Sequence, residues 1–273
     1  MPTIEASGGS FLSRLERLES VDSTQRLVRE WLDAGTPEVA VAVAAHQTAG
    51  RGRRGRGWTA PAGAALLLST GFRPSQLPTR HAWRLAATLS LAMLDAAEEA
   101  AGLKDDTLWL KWPNDIVADA PDGRLVKVAG VLGEAAGGAE RVESAVVGIG
   151  VNTDWPAELF PPELAPSMSS LREIAGGRPI DNEALLEAFL ARLEPRYEAL
   201  RAGTFDAGGW SRRQRTTGRL VEVDLGGPML EGEARGVDPE SGALIVQAAD
   251  RLERIDSGEV VRCRIIGGLP NFV

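Results

Sequence analysis

Residues 47–58 read QTAGRGRRGRGW, which places four arginines and four glycines in one short segment. The run before it, EVAVAVAAH (38–46), and the run after it, AALLLSTGF (64–72), are apolar at successive positions. Such runs suit strands buried on both faces. A glycine-rich cationic loop between two buried strands predicts a site at the end of a sheet. Glycine permits positive φ and lets backbone N–H groups converge on an anion. Arginine adds bidentate donors that fit carboxylate and phosphate. Empty, the loop repels itself and has no apolar anchor, so the sequence predicts disorder until an anion arrives. The competing reading is an arginine–glycine segment for RNA.

The rest of the chain weighs against that alternative. It has 273 residues and a formal net charge of −8, with 44% hydrophobic residues. An acidic balance is the opposite of a nucleic-acid footprint. A single cysteine, Cys263, excludes an internal disulfide and a cysteine-based zinc site, and two histidines leave little for a metal. No apolar run is long enough to span a bilayer, and MPTIEASGGS at the start carries no basic-then-apolar leader pattern. A cytoplasmic protein with neither membrane nor specific DNA contacts is expected. Of 30 lysines and arginines only three are lysine, Lys104, Lys111 and Lys127, which suggests lysine is kept where a compact ammonium is needed.

Outward from the loop, Asp22 or Ser23 caps a helix through QRLVREWLDA that Gly35 ends. Residues 1–18 are polar at the start, without a helix-turn-helix pattern. A long helix is expected over 79–101, capped by Thr79 and stopped by Gly102. Strands are expected at 107–112, 126–135 and 143–152, with Asp122-Gly123 turning between the first two and Gly137-Gly138 before the third. A proline-rich loop follows at 155–167, then a helix over 181–202 that Pro195 should kink or divide. From about 213 the texture changes to short alternating runs separated by turns such as Gly226-Gly227-Pro228, the last of them EVVRCRII. That pattern predicts a small β-barrel. The expected architecture is α+β: a mainly antiparallel sheet with flanking helices over 1–209, and a β-barrel over 210–273.

Chemistry concentrates at a few places. Lys111-Trp112-Pro113-Asn114-Asp115 ends a strand in a proline-fixed turn that delivers an ammonium, an amide and a carboxylate to one spot. A structural turn capped by Asn114 is the plain alternative. Lys127 lies in the apolar run KVAGVLGE, where a lysine either snorkels to solvent or meets a buried anion. The run GIGVN (148–152) ends a strand in small residues that permit close approach to a ligand.

Taken in order, DST at 22–24, QTAGRGRRGRGW at 47–58, KWPND at 111–115, KVAG at 127–130 and GIGVN at 148–152 resemble the bacterial biotin–protein ligases. The motif match covers about 20–170. The tail matches that family's small SH3-like barrel in position and texture. The resemblance implies the class II aminoacyl-tRNA synthetase-like, biotin–lipoate ligase fold. It implies two steps: biotin and ATP give biotinoyl-5′-AMP and pyrophosphate, and a lysine of a biotin carboxyl carrier domain then takes the biotin. Mg²⁺ is implied with ATP, and no protein metal ligands are assigned. By position, Ser23, Thr24, Gln25 and Gln47 fall to the biotin head, although the family often has Asn where Gln25 stands. Arg51, Gly52 and Arg53 fall to the biotin carboxyl end and phosphate, with Trp58 packing beside the ligand. Arg56, Lys111, Asn114 and Asn152 fall to ATP. Lys127 bridges carboxylate and α-phosphate, and Asp115 orients the acceptor lysine; Lys127, Arg53, Lys111 and Asp115 form the implied catalytic group. The short N-terminus points to the enzyme-only members. Lipoate ligases and octanoyl transferases share the catalytic fold. A biotin-sensing regulator would need a DNA-reading module that residues 1–20 do not show.

Overall fold

In the computed structural model, residues 4–5, 11–227, 229–257, 260 and 262–266 are described. Eight strands form one sheet: β1 (Ile4–Glu5), β2 (Arg14–Leu18), β3 (Ala40–Ala44), β4 (Ala65–Phe72), β5 (Leu108–Lys111), β6 (Asp115–Asp119), β7 (Leu125–Gly137) and β8 (Val142–Asn152). Their spatial order is β1-β2-β3-β4-β8-β7-β6-β5. Only β2 and β3 pair in parallel; the other neighbours are antiparallel.

Both faces of the sheet are covered, which is why β3 and β4 are buried at every position. Helix α1 (Thr24–Asp33) sets Val28, Trp31 and Leu32 against Ala40 and Ala42 on one face. On the other, Val39, Val41 and Val43 join the main core beside α2 (Trp83–Ala100) and α4 (Asn182–Arg201). Alternation along β3 thus feeds two cores from one apolar run. Ser23 caps α1 by accepting from the Arg26 N–H, and Gly35 leaves it at φ +90°. Two shorter helices, α3 (Leu171–Ile174) and α5 (Ala207–Arg212), complete the helical set among the described residues.

Five strands follow: β9 (Leu220–Asp224), β10 (Leu230–Val237), β11 (Leu244–Ala248), β12 (Arg251–Ile255) and β13 (Arg262–Ile265). They form an antiparallel sheet in the order β12-β11-β10-β9-β13. Pro228 of the expected turn and part of the run 259–266 lie outside the described residues.

Four expectations need correction. Residues 14–18, for which the sequence suggested no element, form a strand, β2, although three of the five residues in RLERL are charged; its backbone pairs with β3 and Arg14 stacks 3.8 Å over the Trp31 ring. The Asp122-Gly123 turn joins β6 to β7, and β6 itself was not anticipated. KWPND therefore forms the hairpin turn between β5 and β6, with a cis Trp112–Pro113 peptide. Thr79 does not cap α2; it opens a separate 3₁₀ turn and donates to the Gly138 carbonyl at 2.8 Å. Pro195 does not divide α4, which runs as one helix packed on α2; Arg192 and Arg196, on either side of the proline, pair with Glu99 and Asp95 of α2.

Candidate functional site

The β5–β6 turn is clamped to the second sheet. Trp112 is 1% exposed; its N–H donates to Thr216 Oγ1 and its Nε1 to the Gly242 carbonyl, both at 2.9 Å. Residues 213–215 run alongside β5, exchanging bonds with Leu110. With its neighbours fixed in this way, Asp115 sits where two lysines converge. Lys127 Nζ is 2.6 Å from Asp115 Oδ1, and Lys111 Nζ is 3.8 Å from Oδ2. Burial alone would raise the Asp115 carboxyl. Lys127 and Lys111 outweigh it and hold the group below the ordinary carboxylate range. Lys111 also donates to the Cys263 carbonyl at 2.9 Å, a contact from β13.

The arginine loop closes above this cluster as a small hairpin. Gly52 N donates to Arg56 O at 2.7 Å, Trp58 N to Gly50 O at 2.9 Å, and a 3₁₀ turn spans Arg53–Gly55, with Gly55 at φ +72°. Arg53 reaches the Ser257 carbonyl just after β12 and lies 3.5 Å from Asn114 Oδ1. Burial, and then Arg54, push the Arg53 guanidinium below its ordinary value, while Asp115 pulls the other way. Arg51 pairs with Glu134 at 3.0 Å. Contrary to the sequence reading, the loop has an apolar anchor: the Trp58 ring lies over Gly130 and Gly150, with Lys127 Nζ 5.3 Å from its centroid. A Cβ at Gly150 would come within 2.5 Å of Trp58, and one at Gly148 within 2.5 Å of Gln25 Oε1. The glycines of GIGVN therefore make room for protein side chains.

At the other end the groups are mostly neutral. Gln47 Oε1 accepts from Thr24 N at 2.8 Å and lies 3.0 Å from Thr24 Oγ1, which is 2.8 Å from Ser69 Oγ. Gln25 is 4% exposed, and its Nε2 donates to the Val146 carbonyl at 3.2 Å. Asn114 Nδ2 donates to Val131 O of β7 at 2.9 Å, so the side chain ties the turn to the neighbouring strand, while its Oδ1 faces Arg53. Asn152 Nδ2 donates to Ser169 O at 3.0 Å and pins the segment that follows the proline-rich loop. That segment adds to β7 at Lys127, through Lys127 N to Ser167 O at 2.9 Å and Ser169 N to Lys127 O at 2.8 Å.

One cavity of about 950 Å³ is lined by Ser23, Thr24, Gln25, Gln47, Arg51, Gly52, Arg53, Arg56, Trp58, Lys111, Asn114, Asp115, Lys127 and Asn152. Every residue selected from the motifs borders it; Lys104 does not. Sequence reasoning missed Ser69 on β4, Arg219 just before β9 and Cys263 of β13, and it took 153–168 as the adenine cover without assigning Trp155 or Met168 in it; all five lie on the same walls. Ser69 could have been found as a polar residue within an otherwise apolar strand. The others carry no local signal, because distant packing brings them there.

The arrangement gathers cations round one carboxylate at one end of a half-open cavity and neutral donors and acceptors at the other. That suits a ligand with a polar uncharged head and an anionic tail. Comparison with known proteins agrees. A model of the biotin/lipoate A/B protein ligase family matches residues 18–152, and one of the biotin protein ligase C-terminal domain matches 216–262. A biotin--[acetyl-CoA-carboxylase] ligase of Mycobacterium tuberculosis is 34% identical over 226 residues, covering 82% of this chain and 79% of that one. The bifunctional ligase/repressor BirA of Bacillus subtilis is 30% identical over 242 residues, covering 88% and 71%. A solved biotin protein ligase from Aquifex aeolicus, in complex with biotin and ATP, superposes with a TM-score of 0.75 at 28% identity, covering 92% of this chain and 98% of that one. With motifs, both sheets and overall sequence in agreement, the chain belongs to the biotin protein ligase family.

Proposed function

We propose that this protein joins biotin to ATP and passes the biotinoyl group to a lysine of a biotin carboxyl carrier domain. The observation that carries the reading is the Lys127–Asp115–Lys111 cluster beneath the arginine hairpin, at the charged end of a cavity whose far end is neutral. The biotin head lies among Ser23, Thr24, Gln25 and Gln47. Its carboxylate meets the α-phosphate beside Lys127 and the Arg51–Arg53 segment. Two anions repel in a site of low dielectric, and the cations offset that repulsion where charge develops.

In the first step a carboxylate oxygen forms a bond to the α-phosphorus, the bond to the β-phosphate bridge breaks, and pyrophosphate leaves. In the second the acceptor lysine nitrogen bonds to the acyl carbon, AMP leaves, and the lysine loses a proton. The depressed Asp115 carboxyl is a weak base. Its work is to hold Lys127 and Lys111 and, once they turn to phosphate, to orient the acceptor lysine, which gives its proton to solvent and attacks as the neutral amine. Lys111 leaves the Cys263 carbonyl to reach phosphate. Arg56, Asn114 and Asn152 border the nucleotide, and Trp58, with its Nε1 unpartnered among the described residues, covers the intermediate.

Among the described residues no group of three or more His, Cys, Asp or Glu side chains is placed to hold a metal. The donor set therefore fits no protein-built Mg²⁺ cage; Mg²⁺ comes with the triphosphate, and no step is assigned to it. Residues 1–209 form the catalytic unit in this reading and 210–273 the β-barrel that closes on it. No described helix is long and apolar enough to cross a membrane, in keeping with a cytoplasmic enzyme, and the −8 net charge favours a protein acceptor over DNA. The test is pyrophosphate release that requires both biotin and ATP, followed by the mass of one biotinoyl group on a carrier domain. Release with lipoate in place of biotin would transfer the protein to the neighbouring branch, and release with neither would overturn the reading.

A further inference from the structure

Arg219 stands just before β9, on the wall where the second sheet meets the cavity. It is 7% exposed, and its Nε finds no hydrogen-bond partner among the described residues. Among the described residues its one nearby carboxylate, Asp119 at the end of β6, is 3.9 Å from Nη2 and already holds Arg215 at 2.6 Å. Two guanidinium groups thus share one carboxylate, leaving a buried positive charge over. Burial, and then Arg215, push the Arg219 guanidinium below its ordinary value, and Asp119 does not restore it. A guanidinium stays charged through the working range of a protein, and a buried charge demands a counter-charge. Among the described residues the protein side does not supply one, and Arg219 borders the cavity.

We propose that Arg219 is an anion-binding residue for the terminal phosphates of the nucleotide. This rests on the ligase reading above and extends it to a residue outside the motifs. Asp115 and Asp119 stand four residues apart on β6, about 13 Å along a strand. Lys127 pairs across from Val117 between them. Lys127 Nζ is held at the Asp115 end and Arg219 at the Asp119 end; in this proposal a nucleotide with its α-phosphate at Lys127 runs its polyphosphate along β6 toward Arg219. Arg264 of β13 borders the same end and is 3.6 Å from Glu222, so Arg219 is the buried cation there and Arg264 an exposed one. The second sheet, on this account, holds the leaving pyrophosphate as well as bracing the first.

The test is titration calorimetry of the full chain with inorganic pyrophosphate, with ATP and, separately, with biotin. Arg219→Met should weaken pyrophosphate about 10- to 100-fold, with biotin affinity within twofold of the parent, and Arg219→Lys should recover part of the loss. Pyrophosphate binding within twofold of the parent would overturn the assignment. An equal fall for biotin would also overturn it, by making Arg219 a packing residue of the seam. Should Arg219→Met fail to fold, Asp119→Asn decides: freed of its shared carboxylate, Arg219 should bind pyrophosphate several-fold more tightly, and unchanged or weaker binding rejects the proposal. If the parent protein itself binds neither pyrophosphate nor ATP, the ligase reading falls with it; if it binds both and the variants match it, only the role of Arg219 falls.

Discussion

Around Thr24 the cavity wall is made of hydroxyls and amides that bond mainly to one another: Thr24 to Gln47 and Ser69, and Gln25 to the sheet. Around Asp115 it is made of charges, with Lys127, Lys111 and Arg53 facing one carboxylate. The first end is assembled within one sheet and one helix terminus. The second is assembled between two sheets, since Lys111 and Arg53 also hold backbone carbonyls of Cys263 and Ser257. Neutral hydrogen bonds contribute modestly and are satisfied before a ligand arrives. Excess charge is strained until an anion arrives. The neutral end is therefore built for recognition, and the charged end for a reaction that brings anions together.

Replacing Lys127 breaks the charged end most severely. Lys127→Gln removes a charge-assisted contact worth about 1.5–3 kcal/mol, or roughly a 10- to 150-fold loss in adenylation. If the charge acts mainly in the transition state, steady-state pyrophosphate release falls further than biotin binding measured by calorimetry. A variant whose adenylation stays within about twofold of the parent, near 0.4 kcal/mol, would erase the contrast between the ends, provided a thermal melt shows it folded.

Gly150→Ala tests the link between them. The added Cβ would meet Trp58 at 2.5 Å, and overpacking of this kind costs about 1–3 kcal/mol. The ring must swing, so Tm should fall and biotin affinity with it. An unchanged Tm and affinity would show that Trp58 does not need that seat.

Acidification sharpens the comparison with the smallest effect. The Asp115 carboxyl is lowered in the folded protein. Its contribution to stability is thus present above the unfolded carboxyl value, about 3.9, and fades as pH falls through the lower folded value. Denaturant midpoints of the parent and Asp115→Asn should differ at neutral pH and converge below about pH 4. A gap that stays constant on acidification would remove the ion pair as its cause.

Much of this was legible in the chain because it was local. The arginine–glycine loop lies between two apolar runs, and those runs are β3 and β4. Ser23 caps α1 and Gly35 ends it by rules that act within a few residues. The motif residues border one cavity because most of them end a strand, begin a helix or fill a turn, while Lys127, Gly148 and Gly150 lie within β7 and β8. What escaped was set by distant partners. β2 looks like a polar segment until β3 lies beside it, and β6 hides behind the proline turn that starts it. Composition singled out Lys104, Lys111 and Lys127 alike, and Lys104 does not border the cavity; the β5–β6 and β6–β7 pairings put Asp115 between the other two. The buried charge of Arg219 had no sequence signal at all, because burial is made by the other sheet. Local chemistry along the chain was enough for β3, β4, the α1 cap and the chemical groups of the motifs; packing set β2, β6 and which charges share a partner, because electrostatic energy depends on separation and burial, and chain order specifies neither.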